Sequence, residues 1–166
     1  MLVMGIDPGS RESGVVFWDA HKSTVVKAEQ MENNWCLRCI KNFQAVAAVV
    51  AIEQIRGYGI VAGNDTIDTC QWVGRFQEAY ENHSGKVVLI PRKDIKLHLC
   101  NTTTTNDKYI RQALIDRFGD VGTKKQPGPL YGISRHLWAA LAVAVTCSDQ
   151  INQAAEDEKI ITETGI

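Results

Sequence analysis

Little in this sequence points to a membrane, to export or to disorder. Its apolar runs, such as Val46 to Ile52, fall far short of the ~20 residues that cross a bilayer. The N-terminus carries no basic segment followed by an apolar stretch and a small-residue cleavage site. A signal peptide is therefore not expected, and a reducing cytoplasm is. Five cysteines, an odd number, argue against a disulfide framework. There is no excess of one charge either: the formal net charge is −1, so bulk charge gives no support to nucleic-acid binding. With 45% apolar and 22% charged residues, the composition is close to globular averages and wholesale disorder is excluded. A length of 166 residues suits one domain. No internal repeat is present.

The distribution of charge is more informative than its sum. Residues 92–125 carry eight basic and four acidic side chains, while the segments on either side are net acidic. A basic middle beside acidic ends suits a phosphate-facing surface next to a carboxylate site, although a solvated face has the same composition. Cys36 and Cys39 have the spacing of a zinc or redox pair, without a second such pair. His98 and Cys100 would complete four ligands only if the fold gathered them, and buried free cysteines are the alternative.

Leu2 to Asp7 reads as an apolar strand ending on an acid, followed by a turn at Pro8-Gly9-Ser10. Gly14 to Trp18 and Thr24 to Glu29 follow as strands of an antiparallel meander. Asn33-Asn34 is expected to cap a helix running to about Phe43. Ala47 to Ile52 has the continuous apolar pattern of a strand buried on both faces, and it ends on Glu53. The glycine-rich stretch from Arg56 to Asn64 reads as a loop, and Asp65 as the cap of a helix to about Asn82. That helix carries two apolar stripes. Ile67, Cys70, Val73 and Gly74 form one, and Trp72, Phe76, Ala79 and Tyr80 the other, which suits a sheet on one side and either a partner subunit or deep burial on the other. Val87 to Ile90 is a strand stopped by Pro91. Helices follow over Arg92–Leu99, Asp107–Phe118 and Ile133 to about Gln150. A polar, acidic tail is expected from Asn152. The order predicts an α/β layout, with hairpins building one side of a sheet and crossovers the other.

Asp7 and Glu53 thus occupy the same kind of position, each at a strand end. Two carboxylates brought together there cannot both stay ionised cheaply without a cation. A hard divalent metal with open water positions, magnesium above all, resolves the conflict and supports phosphodiester cleavage. Acids just past strand ends are also common without any such role.

The residues around these acids resemble a known family. Gly5-Ile6-Asp7-Pro8-Gly9-Ser10 with Ser13-Gly14-Val15-Val16, Ala51-Ile52-Glu53-Gln54-Ile55, and His136-Leu137-Trp138-Ala139-Ala140-Leu141-Ala142-Val143-Ala144-Val145-Thr146 are similar to the three blocks of the RuvC-type Holliday junction resolvases. They stand in the family's order and near its spacing, over about residues 2–150. The resemblance implies an RNase H-like fold with a five-stranded mixed sheet, an antiparallel meander plus two crossover strands, flanked by helices. That domain would span residues 1–151, with residues 152–166 as the acidic tail. It further implies a homodimer that resolves four-way DNA junctions by paired nicks near the branch point, in recombination and repair, with Mg2+ or Mn2+ and two ions per site. Small phage members of the family look most like this chain, which would then work in the host cytoplasm.

By position, the resemblance makes Asp7 the first metal ligand, Glu53 the second and His136 the third. The fourth falls on Ala139, which cannot bind metal, and Asp107 is the candidate to compensate. A first-turn acid stabilised by its helix dipole is the plainer reading of Asp107, and a packed core histidine that of His136. Lys96 and Lys108 fall where the family places phosphate-contacting lysines, with Arg92 and Lys93 extending that surface. Tyr58, in the loop after Glu53, falls where the family presents an aromatic wedge to bases. Two alternatives stay open beside the resolvase: a related metal nuclease acting on flaps, forks or structured RNA, and a junction-binding protein whose catalysis is impaired by Ala139. A phosphate-binding turn of an actin-like ATPase would need a second such domain.

Overall fold

The structure, a computed structural model, describes residues 1–43, 48–57, 61–82, 85 and 87–164. Five strands form one mixed sheet: β1 (Leu2–Asp7), β2 (Glu12–Asp19), β3 (Thr24–Glu32), β4 (Ala48–Gln54) and β5 (Val88–Pro91), in the order β3-β2-β1-β4-β5. The first three are an antiparallel meander, and β4 and β5 are joined parallel to β1 by crossovers. The fold class expected from the sequence is the fold observed.

Alternation along β1, β2 and β4 sends side chains to two separate cores. Val3, Val16, Trp18 and Ala51 face helices α3 (Arg92–Cys100), α4 (Asp107–Phe118) and α5 (Leu137–Thr164). Met4, Ile6, Val15, Val50 and Ile52 face α1 (Asn33–Asn42) and α2 (Asn64–Glu81). The first half of α5 is apolar on every side and almost wholly buried from Leu137 to Ser148, as a central helix must be. Its alanines let it lie directly on β1. A Cβ placed on Gly5 would stand 2.3 Å from the Ala140 carbonyl oxygen and 2.7 Å from the Ala144 Cβ. Glycine at position 5 is therefore what permits the close approach.

Several boundaries differ from the sequence expectation. Strand β3 extends to Glu32, so the N-cap of α1 is Glu32 and no side chain caps it. The Asn33 side chain turns instead into the sheet. Helix α2 starts at Asn64 after Gly63, which places Asp65 in the first turn and not at the cap. Helix α5 starts at Leu137 and not Ile133, because Gly132 and Arg135 both adopt positive φ (92° and 43°) and break the helical path. It then continues through the stretch expected as a tail. No glycine or proline interrupts residues 149–164, and pairs such as Gln153 with Asp157 (2.9 Å) support successive turns.

The two stripes on α2 separate as their positions require. Phe76, Ala79 and Tyr80 are buried against the sheet, whereas Ile67, Cys70 and Gly74 are exposed. The four-ligand site raised for Cys36, Cys39, His98 and Cys100 does not form. Cys36 and Cys39 pack with the α1/α2 core and Cys100 with the other, across the sheet. Burial pushes the Cys36 thiol up to about 12, which makes it a core residue and a poor thiolate ligand. Among the described residues no helix is long and apolar enough to cross a membrane.

Candidate active site

The parallel pairing of β1 with β4 places Ile6 opposite Ile52. Asp7 and Glu53 are each one residue further on, at the carboxyl ends of neighbouring strands. Since Ile6 and Ile52 face the α1/α2 core, both acids face the opposite layer, where α3, α4 and α5 converge. Ligand sites of open α/β sheets form at such strand ends. Asp7, Glu53, Arg92, Asp107, Arg135, His136 and Ala139 line a cavity of about 140 Å³ there.

The cavity is electrostatically strained. Burial, and then the neighbouring Glu53 carboxylate, push the Asp7 carboxyl from 3.8 up to about 7, while Arg92 pulls against them. Burial also raises Glu53, with the charge and hydrogen bonds of Arg92 opposing it. Arg92 is the first residue of α3, directly after Pro91 ends β5. Its Nη1 donates to both Glu53 oxygens, at 3.0 and 2.8 Å, and its Nη2 donates to Asp107. One guanidinium therefore ties the end of β4 to the start of α4.

Asp107 owes its place to the seating of α4. Ile110 and Leu114 are buried in the core, Phe118 meets Trp18 edge-on at 4.9 Å, and Arg111 lies over the Trp138 ring at 5.0 Å. The Asn106 side chain caps the helix by accepting from the Lys108 N–H (3.0 Å). Asp107 then sits in the first turn, where the helix dipole favours a negative charge. His136 stands just ahead of α5 and is exposed, so it is not a packed core histidine. It lines both the acid cavity and a larger groove of about 630 Å³ that runs past Asp7, Ser10, Glu12, Asn33 and Trp72. Ala139, one turn further along α5, contributes only a methyl group.

The turn after Asp7 is held by residues that sequence reasoning assigned elsewhere. Asn33 accepts from Ser13 Oγ (2.7 Å), donates to the Gly9 carbonyl (2.8 Å), and its own N–H reaches the Arg11 carbonyl (3.0 Å). Ser13 and Asn33 are both buried. A polar pair at two strand ends carries no local signature, so only the register of β2 with β3 reveals it. Arg135 was also missed. Its positive φ in a non-glycine residue beside the acid cavity is the kind of strain that marks a functional position.

Of the residues expected at a site, the fold brings Asp7, Glu53, His136 and Asp107 together. Lys93 and Lys96 flank Arg92 around a third, open cavity of about 220 Å³, and Lys108 is exposed on the first turn of α4. Arg92 lines that cavity too, while its guanidinium donates to the carboxylates of Glu53 and Asp107. Tyr58 lies outside the described residues.

The donor chemistry fits a hard divalent cation. Asp7 and Glu53 are oxygen donors held in a half-dry cleft, and with Asp107 they outnumber the single guanidinium between them. Among the described residues, no three His, Cys, Asp or Glu side chains already enclose one point. A closed zinc-type cage is thus not what is built. A magnesium-type site, with one or two carboxylates and the rest water or substrate oxygen, is compatible.

Comparison with solved structures agrees with this architecture. The chain is similar to RuvC of Thermus thermophilus, at 20% identity over 88% of this chain and 92% of that one, with a TM-score of 0.61. It is also similar, at 20% identity and the same coverage with a TM-score of 0.64, to T. thermophilus RuvC in complex with a Holliday junction substrate. At that identity the likeness is one of fold: the chain has a RuvC-like, RNase H-like fold. No protein-family model matches the sequence, and no curated protein matches it.

Proposed function

We propose that this chain is a metal-dependent endonuclease selective for branched DNA, resolving four-way junctions by paired nicks near the branch point. The observation that carries the reading is the juxtaposition of Asp7 and Glu53 at the ends of β1 and β4, with Asp107 and His136 closing the same cavity. The similar fold of a protein seen with a Holliday junction substrate supports the choice of DNA.

In this reading Asp7 and Glu53 would hold a divalent ion, Mg2+ with Mn2+ able to substitute, with Asp107 near enough to reach it through water. Asp107 stands in for the acid that Ala139 lacks. The bound metal would lower the pKa of a water and neutralise charge on the leaving oxygen. His136, exposed between cavity and groove, accepts a proton from the attacking water or orients it. Lys93 and Lys96, beside Arg92, and the exposed Lys108 meet backbone phosphates as point charges, so binding falls with salt. Tyr58 would stack on a base at the branch. The exposed stripe of Ile67, Cys70 and Gly74 on α2 supports a homodimer, which sets two sites across one junction. Phage-type membership and a host-cytoplasm location remain expectations of the sequence resemblance.

The test is a labelled mobile four-way junction incubated with the protein and Mg2+ or Mn2+, with EDTA and Asp7→Asn controls. Paired nicks lost in both controls support the proposal. Faster cutting of flaps, forks or structured RNA would move it to another nuclease. A second reading, a junction-binding protein with impaired catalysis, is favoured by Ala139 and by the guanidinium occupying the carboxylates. Tight binding without nicking in either metal would establish it.

A further inference from the structure

We propose that Arg92 is a resident cation of the site, standing in for one metal ion, so that the cavity takes a single divalent ion per chain. This rests on the nuclease reading and departs from the two ions that the family resemblance implies.

Three observations carry it. First, Arg92 sits among the carboxylates and is shared by two of them. Both Glu53 oxygens accept from Nη1, and Asp107 accepts from Nη2. A guanidinium in that position does what a bridging cation does between acids: it offsets their repulsion and fixes their spacing. Pro91 and the start of α3 hold its backbone at the cavity wall, so the contact does not depend on a long mobile loop.

Second, the charges balance for one ion. Asp7, Glu53 and Asp107 interact electrostatically with one another and with Arg92. Fully ionised, three carboxylates against one guanidinium leave two negative charges, which one divalent ion neutralises. Lys96, which also acts on Glu53, makes a further ion less favourable still. A second divalent ion would leave the cavity strongly positive before any phosphate entered.

Third, the extra donor is missing. Ala139 presents a methyl group where a further carboxylate would be needed, and it lines the same cavity as Arg92.

The test counts ions directly. Mn2+ binding to the full chain is measured by electron paramagnetic resonance of free Mn2+ and by calorimetry, for wild type, Arg92→Gln and Arg92→Lys, with Asp7→Asn marking binding at the site. Wild type is expected to bind one site-specific ion. Arg92→Gln is expected to bind a second ion, or the first about tenfold tighter, while Arg92→Lys keeps the wild-type count. Thermal melting without metal shows whether each variant is folded; if Arg92→Gln is not, the wild-type count decides. Two site-specific ions in wild type, or unchanged binding by folded Arg92→Gln, would overturn the inference and leave the nuclease reading standing if junctions are still nicked. No site-specific Mn2+ binding together with no nicking would remove both.

Discussion

Replacing Asp7 by asparagine tests the electrostatics of the site without requiring any substrate. In the folded chain Asp7 titrates near 7, against 3.8 for the unconstrained group. Below pH 4 both folded and unfolded chains hold the proton, and Asp7 costs nothing. Between pH 4 and 7 the unfolded chain has released it and the folded chain still binds it, so stability falls as pH rises. Above 7 both states are ionised and the loss is complete. The shift is about three units at 1.36 kcal/mol each, or about 4 kcal/mol. For a chain of this size that corresponds to roughly 8–16 °C in Tm. Asp7→Asn has no such proton to lose. In EDTA its melting temperature should match wild type near pH 4 and exceed it by a margin of this order at pH 8. Adding Mg2+ at pH 8 should recover stability for wild type and not for the variant. The assay is thermal melting followed by circular dichroism from pH 4 to 8, with and without metal. Parallel pH profiles for the two proteins would refute the reasoning, because they would mean that Asp7 is solvated and free of Glu53.

Three further perturbations probe how the site is held. Gly5→Ala drives a Cβ to 2.3 Å from the Ala140 carbonyl oxygen. It should cost about 1–3 kcal/mol by overpacking and lower the proposed nuclease activity as α5 and His136 shift; unaltered melting would show that α5 is not pressed on β1. Asn33→Ala removes the bonds to Ser13 and Gly9 and leaves a buried hydroxyl without its partner, a loss of about 1–3 kcal/mol. Hydrogen exchange should rise in the Gly9–Arg11 turn, and an unchanged rate would argue against its role as the anchor. At Asp149, burial opposes ionisation, but hydrogen bonds from Arg117 (2.5 and 2.8 Å) and His98 (2.7 Å) outweigh it and hold the carboxyl below its ordinary range. Asp149→Asn should therefore destabilise the α3–α4–α5 layer above pH 4 and lose that effect as acid protonates the wild-type carboxyl. Equal destabilisation at all pH values would point to packing as the cause.

Much of the fold is written locally. The short apolar run of β2, the apolar run before Glu53, Pro91 at the end of β5 and the Asn106 cap each act over a few residues, so the elements and their order could be read in one pass. The boundaries that moved were those where distant partners decide. Asn33 serves a turn more than twenty residues away in sequence and so cannot cap its own helix. Helix α5 is delayed by two positive-φ residues whose strain no propensity reports, and then continues because nothing in the acidic stretch stops it. The cysteine pair and His98 were separated by the sheet itself.

The site divides in the same way. Asp7, Glu53 and His136 could be picked out as candidates from the sequence, since each sits in a motif at the end of a strand or the start of a helix. Asp107 could be named from the sequence only as a candidate; its place in the same cavity, and the Arg92 guanidinium shared between Glu53 and Asp107, come from the tertiary structure. Arg92 lies 39 residues from Glu53 and 15 from Asp107. Only the packing of α3 and α4 beside the β1–β4 pair brings them within hydrogen-bond reach. The buried charge of Asp7 and Glu53 then favours a nearby guanidinium, which the exposed Asp107 shares from the rim, an outcome that depends on distance in space and has no trace in spacing along the chain.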